Sequence, residues 1–273
     1  MNVNLAAILD QAQRVLNGPP AQNGYRGPVH VGVDLGTAYT VLIVLDQDYR
    51  PLAGRYQFAQ IVRDGLVVDF LGAIKLVGQM KAEAEAQLGF KLESAATAYP
   101  PGVALAEVKA TRNVLIGAGL ECSHFVDEPT AANALLQVEN GAVVDIGGGT
   151  TGVAVIKDGQ VIYTADEPTG GTHFSLVIAG ALGLSFEEAE ELKKQPDQQR
   201  QLQLLVYPVM QKVGTIIARH IKPYQVETIY LVGGTSNMTG IDEVVQEITG
   251  VSTIIPGAPL FVTPIGIALH DNP

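Results

Sequence analysis

The segment Asp145-Ile146-Gly147-Gly148-Gly149-Thr150-Thr151-Gly152 constrains this sequence more than any other part of it. Three consecutive glycines tolerate positive backbone φ angles and let main-chain N–H groups come close to a bulky anion. Together with the hydroxyl groups of Thr150 and Thr151, such N–H groups form a cradle for phosphate oxygens. Asp145, at the end of an apolar run, carries a carboxylate of the kind that holds hydrated Mg²⁺. The alternative, a tight hairpin that merely requires glycine, remains open for this segment alone.

A second segment, Asp34-Leu35-Gly36-Thr37, offers the same parts earlier in the chain. Each segment follows a strand pattern that ends in aspartate, turns at glycine, and continues into two further strands. The predicted strands are residues 29–33, 39–46 and 50–59, and then residues 142–145, 151–156 and 160–164. This repeated layout predicts two similar α/β lobes.

Helix signals occupy most of the remaining chain. The predicted helices are residues 1–17, 72–88, 103–118, 129–137, 172–182, 187–194, 202–221 and 241–249. Gly89 and Gly183 are placed as C-caps, and Ser185 with Glu188 forms a capping-box pattern. The Gly/Pro-rich residues 17–28 predict a linker, so the first helix is interpreted as an appendage.

Composition excludes several classes of partner. The net charge is −11 without a basic stripe, which argues against nucleic acid and against docking on an anionic membrane. No apolar run is long enough for a membrane-spanning helix, so no membrane insertion is expected. The single cysteine, Cys122, cannot form an internal disulfide.

A third glycine turn, Gly233-Gly234-Thr235-Ser236, lies between an apolar strand and a helix. The three turns, with residues 127–132 and 263–268, resemble in order the five motifs of the actin, heat-shock chaperone and sugar kinase ATPase superfamily. The resemblance covers residues 29 to 270. It implies an α/β protein with two ribonuclease H-like lobes and the nucleotide cleft between them. The implied division is residues 1–28 (helix and linker), 29–140 (lobe I, with helix 264–273 returning to it) and 141–263 (lobe II).

The resemblance also implies a role for each matching residue. Asp34 and Asp145 would hold Mg²⁺ through water, and Glu128 would orient the attacking water, which makes these three the catalytic residues. The implied phosphate-binding residues are Gly36, Thr37, Gly147, Gly148, Gly149, Thr150 and Thr151. The implied adenosine-binding residues are Glu190, Lys193, Gly233, Gly234, Ser236 and Met238. The implied cofactors are ATP and Mg²⁺.

The sequence departs from the superfamily between Lys194 and Leu202. Chaperones and actins carry there a small subdomain that covers one side of the adenine, and the short connection at residues 195–201 has no room for it. Extra subdomains are therefore expected to be minimal. The phosphate end of the site is complete and the adenosine end is reduced, which favours slow hydrolysis or its loss over fast ATP turnover.

Three stretches, residues 62–70, 123–130 and 165–173, resemble the chaperone-like ethanolamine-utilisation branch of the superfamily. They imply an ATP-binding, chaperone-like protein of that pathway, a weak ATPase whose lobe closure is coupled to binding a client, shell or enzyme partner. Its expected place is the cytoplasm, in association with a bacterial microcompartment. One alternative is an actin-like scaffold of the pilus or division type with a structural or vestigial nucleotide. Another is a small-molecule kinase, although this chain lacks the usual substrate-binding insertion.

Overall fold

The computed structural model describes residues 4–22, 24–63, 66–101 and 105–272, and it leaves the side chains of residues 105–108 undescribed. Residues 64–65 of the motif at 62–70, residues 103–104 of a predicted helix, and residues 1–3 lie outside the described residues. The chain forms two compact units. Unit 1 contains Met1–Gln137 and Leu260–Pro273, and unit 2 contains Val138–Pro259.

Unit 1 is built on a five-stranded sheet in the order β3-β2-β1-β6-β7. Its strands are β1 (His30–Leu35), β2 (Tyr39–Leu45), β3 (Pro51–Phe58), β6 (Ser94–Tyr99) and β7 (Glu121–Asp127). Strands β4 (Val62–Arg63) and β5 (Leu66–Val67) form a separate two-stranded antiparallel sheet. Its helices are α1 (Leu5–Val15), α2 (Phe70–Leu88), α3 (Leu105–Gly117), α4 (Glu128–Leu136) and α9 (Val262–Leu269).

Unit 2 is built on a second five-stranded sheet in the order β10-β9-β8-β11-β12. Its strands are β8 (Gly141–Ile146), β9 (Thr151–Lys157), β10 (Gln160–Glu167), β11 (Thr228–Val232) and β12 (Ser252–Ile254). Its helices are α5 (Gly171–Leu182), α6 (Phe186–Lys193), α7 (Pro196–Ile221) and α8 (Ile241–Thr249). Short 3-10 turns occur at Gly234–Asn237 and Pro259–Phe261.

The two sheets share one topology. In each, the first three strands pair antiparallel in sequence, and the first strand also pairs parallel with the fourth, which pairs parallel with the fifth. The likeness extends to burial, because residues 31–40 and 142–151 show the same succession of buried and partly buried positions. The predicted α/β class with two similar units is confirmed.

The predicted site residues lie near the carboxyl ends of the parallel strands. In open α/β sheets, ligands bind at this edge. In unit 1, β1 and β7 end there, next to Asp34 and Glu128. In unit 2, Asp145 on β8 pairs with Val232, the last residue of β11, and Gly233 follows at once.

Each unit has its own apolar core. In unit 1 the core joins β1–β3 and β6 to α2 and α3, and in unit 2 it joins β8, β9 and β11 to α5–α8. The predicted C-caps are confirmed, since Gly89 and Gly183 adopt φ angles of 75° and 68°, and so is the capping box of Ser185 and Glu188. Within the described residues, no helix is both long and apolar enough to cross a membrane.

Two helix interpretations need correction. The N-terminal helix is not a detached appendage, because its apolar face is buried in unit 1 and Gln11 Nε2 donates to the Pro51 carbonyl at 2.6 Å. Helix α7 begins at Pro196 rather than Leu202. Proline suits the first position of a helix, where no N–H is required, which explains why the helix begins at this residue.

Candidate functional site

The turn between β8 and β9 contains the segment predicted to bind phosphate. Gly147 N donates to the Thr150 carbonyl at 3.0 Å and closes the turn. The glycines and Thr150 are partly exposed, as is Asp145 just before them. Thr151 is fully buried, and its hydroxyl donates to the Thr169 carbonyl at 2.6 Å. The turn therefore presents its backbone outward while the side chain of Thr151 supports it from within.

The residues that lead into α5 hold this turn in place. Gly171 N donates to the Gly147 carbonyl at 2.9 Å, and Thr172 N donates to the Gly148 carbonyl at 2.7 Å. A Cβ at Gly170 would lie 2.8 Å from Gly147 O and from Thr150 N, so only glycine fits. Sequence reasoning missed this role, although a Gly-Gly-Thr run directly before a helix was a usable signal.

The turn predicted to bind adenosine packs directly against the phosphate turn. Gly233 has a φ of 86°, and a Cβ there would overlap Asp145 Oδ1 and lie 2.6 Å from Ile146 O. The hydroxyl of Thr235, which was not predicted, donates to the Gly147 carbonyl at 2.8 Å. The structure thus brings the aspartate, the phosphate turn and the adenosine turn of unit 2 together.

The other predicted adenosine residues vary in exposure. Gly234 is partly exposed, whereas Ser236 and Met238 are buried. The Ser236 hydroxyl donates to the Val232 carbonyl at 2.6 Å. Their assignment to adenosine stays a prediction.

Glu190 and Lys193 lie side by side on α6, with Lys193 Nζ 2.7 Å from Glu190 Oε2. Lys193 Nζ also donates to the Gly171 carbonyl and to Ser175 Oγ. Burial lowers the pKa of Lys193, and the neighbouring Glu190 carboxylate acts in the opposite direction. In this arrangement both side chains face the start of α5, and their contact with adenosine stays a prediction.

The corresponding turn of unit 1 closes in the same way, since Gly36 N donates to the Tyr39 carbonyl at 3.0 Å. Asp34, Gly36 and Thr37 are partly exposed there. Glu128 is half-buried as the first residue of α4, whose cap is the Asp127 carboxylate accepting from Thr130 N at 3.0 Å. Unit 1 therefore presents two predicted catalytic carboxylates at one sheet edge.

The two turns differ at one equivalent hydroxyl. Thr40 in unit 1 matches Thr151 in unit 2, and both are fully buried. The Thr40 hydroxyl has no hydrogen-bond partner among the described residues, whereas the Thr151 hydroxyl has one. A buried hydroxyl without a partner costs free energy, and one with a partner does not.

Thr40→Val is therefore expected to raise the free energy of unfolding by about 1 kcal/mol, and Thr151→Val to lower it by about 1–3 kcal/mol. The second change also leaves the Thr169 carbonyl without its donor. Chemical denaturation of the two matched variants measures both values. Equal destabilisation by both would contradict the assigned difference.

A polar cluster at the end of α9 lies outside the predicted site. The buried carboxylate of Asp271 accepts from Val31 N at 2.7 Å and from the Ser123 hydroxyl. Burial raises the pKa of Asp271, while the bonds from Ser123 and Val31 act in the opposite direction. The imidazole ring of His270, the residue before Asp271, stacks on the ring of His124, with the two ring centroids 5.5 Å apart. This cluster ties the end of the chain to β1 and β7.

Stability is expected to fall in mild acid because of His270. Burial and the neighbouring His124 lower its pKa, against the pull of Asp127. The ordinary pKa of a histidine side chain is 6.5. As the pH falls below that value, His270 is protonated in the unfolded chain before it is protonated in the folded chain, so stability is lost. Denaturant titrations from pH 7.5 to pH 5 should show a smaller loss for His270→Asn. An unchanged loss would remove His270 as its source.

Direct metal coordination has no evident place in the part of the chain that the structure describes, since no group of three or more His, Cys, Asp or Glu side chains is arranged for it. Mg²⁺ held through water requires fewer protein ligands. The assignment of Asp34 and Asp145 to Mg²⁺ stays a prediction.

Comparison with known proteins provides an independent view of these features. Residues 54–187 match the MreB/Mbl protein family model, and residues 132–262 match the model for the type IV pilus assembly protein PilM. The ethanolamine utilization protein EutJ of Escherichia coli K12 is 42% identical over 265 residues, which are 97% of this chain and 93% of that protein.

Solved structures of other proteins are similar to this chain as well. The crystal structure of the ethanolamine utilization protein EutJ from Carboxydothermus hydrogenoformans is 46% identical, with a TM-score of 0.92 and 97% of each chain covered. An MreB protein of Spiroplasma citri, bound to AMPPNP, has a TM-score of 0.73 at 18% identity, covering 90% of this chain and 96% of that one. At that identity the likeness concerns the fold alone. The predicted actin-like fold is confirmed.

Proposed function

The chain belongs to the EutJ family of actin-like ethanolamine-utilisation proteins, and on that premise we propose that it is a chaperone-like protein that binds Mg-ATP and hydrolyses it slowly. The observation that carries this proposal is the joint packing of Asp145, the Gly147–Thr150 turn and Gly233 in unit 2. The MreB relative of the same fold is bound to AMPPNP, a nucleoside triphosphate analogue.

The phosphate turn is suited to anions by its backbone. Its carbonyls at Gly147 and Gly148 are already engaged by donors from Gly171, Thr172 and Thr235. These bonds fix the peptide planes of a turn whose outer face is partly exposed. A turn whose geometry is set before the ligand arrives binds with less loss of conformational entropy.

The carboxylates suit hydrated Mg²⁺. Asp145 is partly exposed at the sheet edge, and its Oδ1 atom occupies the position that a side chain at residue 233 would otherwise fill. Bound Mg²⁺ would neutralise phosphate charge, which is the main requirement of phosphoryl transfer to water. For Asp34 and Glu128 of unit 1, the proposal rests on the family resemblance alone: Asp34 would hold hydrated Mg²⁺, and Glu128 would accept a hydrogen bond from the attacking water and orient it.

The adenosine side is open in this proposal. Only residues 194–195 separate α6 from α7, so no subdomain is inserted there to cover a base. Less of the base is then buried by protein, and affinity depends more on the phosphates. We therefore expect ATP and GTP to bind within about tenfold of one another.

Thermal denaturation tests the nucleotide proposal. The melting temperature should rise with Mg-ATP and Mg-ADP and should not rise with adenosine or when EDTA removes Mg²⁺. Steady phosphate release in the same samples would reveal hydrolysis. A melting temperature that ignores Mg-ATP at millimolar concentration would reject the proposal.

The partner is proposed from the family alone: an enzyme or shell protein of ethanolamine utilisation, in the cytoplasm at a bacterial microcompartment. ATP and ADP would then change the affinity for that partner by different amounts. The match to the PilM model favours a second candidate, a scaffold whose nucleotide is structural. Asp145→Ala separates them, because a scaffold keeps its affinity for the shell protein or enzyme and a nucleotide-driven chaperone loses its ATP response.

A further inference from the structure

We propose that Ser175, Glu190 and Lys193 form a positioning cluster, which sets the geometry of the phosphate turn in unit 2 through Gly171. The proposal deepens the function above and rests on it. It also gives Glu190 and Lys193 a role other than contact with adenosine.

The cluster is a closed hydrogen-bond network between α5 and α6. Lys193 Nζ donates to Gly171 O at 3.0 Å, to Ser175 Oγ at 2.8 Å and to Glu190 Oε2 at 2.7 Å. Ser175 Oγ in turn lies 2.5 Å from Glu190 Oε2. A lysine ammonium has three donors, and each has an acceptor here. All three donors of Lys193 are engaged in this arrangement, so none remains for a nucleotide. Lys193 therefore acts on a bound nucleotide through the backbone of Gly171.

Gly171 transmits the cluster to the phosphate turn. Its carbonyl accepts from Lys193, and its N–H donates to the Gly147 carbonyl at 2.9 Å. A Cβ at Gly171 would lie 2.6 Å from Thr235 Oγ1 and 3.2 Å from Lys193 Nζ. The missing side chain thus lets the ammonium and the Thr235 hydroxyl both reach this residue, and Thr235 bonds to the same Gly147 carbonyl.

Burial distinguishes this pair from an ordinary helix-surface pair. The side chains of Lys193 and Glu190 are 12% and 9% exposed, whereas those of the next pair, Lys194 and Glu191, are 33% and 72% exposed with the same i,i+3 spacing. A buried ion pair contributes little net stability because both charges lose water. Holding the backbone of Gly171 in one geometry is a role that accounts for the presence of this buried pair.

The test uses magnesium tripolyphosphate, which has phosphates but no ribose or base. Lys193→Met should weaken its binding by about tenfold or more, because the turn loses a charge-assisted support. Ser175→Ala should weaken it in the same direction while keeping the ion pair, and Lys193→Arg should restore part of the loss. The matched control Lys194→Met, in the exposed pair, should bind as the unaltered protein does. Calorimetric titration measures all five proteins.

Direct contact with ribose or base predicts the opposite pattern. Lys193→Met would then weaken Mg-ATP binding and leave tripolyphosphate binding unchanged, which overturns the positioning role. If Lys193→Met does not fold, the double variant Glu190→Gln/Lys193→Met replaces it, because it removes both buried charges. The tripolyphosphate affinity of Ser175→Ala tests the proposal in either case. An unaltered protein that binds Mg-ATP but not tripolyphosphate rejects this cluster proposal only. One that binds neither rejects the proposed function as well.

Discussion

Asp145→Asn is expected to lower the affinity for Mg-ATP by at least about a hundredfold, because it removes the charge that holds the hydrated metal under the proposed function and keeps the side-chain shape. Asparagine fits the space beside Gly233 as aspartate does, so the fold should be retained. Titration calorimetry measures the affinity, and thermal denaturation without nucleotide checks the fold.

Asp158→Asn is the matched control for this change. Asp158 is exposed in the turn between β9 and β10, with a φ of 51° that asparagine tolerates. Its affinity for Mg-ATP should equal that of the unaltered protein. If Asp145→Asn also binds Mg-ATP normally, Asp145 has no part in holding the metal.

Gly266→Ala is expected to lower the free energy of unfolding by more than about 3 kcal/mol. Gly266 lies in α9, where a Cβ would overlap the backbone carbonyl of Ala131 in α4 and lie 3.2 Å from Ala132 N. A side-chain clash is relieved by rotation, but backbone atoms move only if the two helices separate. Chemical denaturation measures the loss.

Gly78→Ala provides the contrast within α2, where a Cβ would meet no atom within 4 Å. Alanine there should stabilise the protein by about 0.5–1 kcal/mol, because it restricts the unfolded chain and favours the helix. If both variants were equally stable, α4 and α9 would not be as close as the structure has them.

Local signals were sufficient where one segment determines its own conformation. The turns at Gly36 and Gly147, the C-caps and strand β11 all depend on glycine or on short apolar runs, and the sequence predicted them. Strands β6 and β7 were missed. Strand β6, with the sequence Ser-Ala-Ala-Thr-Ala-Tyr, has weak strand propensity, and its pairing with β1 and β7 comes from the tertiary fold. Ala96 and Ala98 of this strand pack with Ala131 and Ile267, where helices approach closely.

The motifs supplied the residues of the candidate site, and the ligand role of each residue stays a prediction. The structure brings Asp145, the phosphate turn and Gly233 together, as the motif order implied. Gly171, Ser175 and Thr235 were not predicted, because their part in the proposed site comes from hydrogen bonds to the Gly147 carbonyl or to one another. Such bonds join residues that are distant in the chain, and no residue type predicts them from the sequence.

Equilibrium dialysis of the unaltered protein against labelled ATP in excess Mg²⁺ tests the central claim most directly. Saturation at one ATP per chain is predicted, with binding lost when EDTA is added and in Asp145→Asn. A folded protein that retains no ATP at millimolar concentration would contradict the claim that the turns after Asp34 and Asp145 are nucleotide-binding elements.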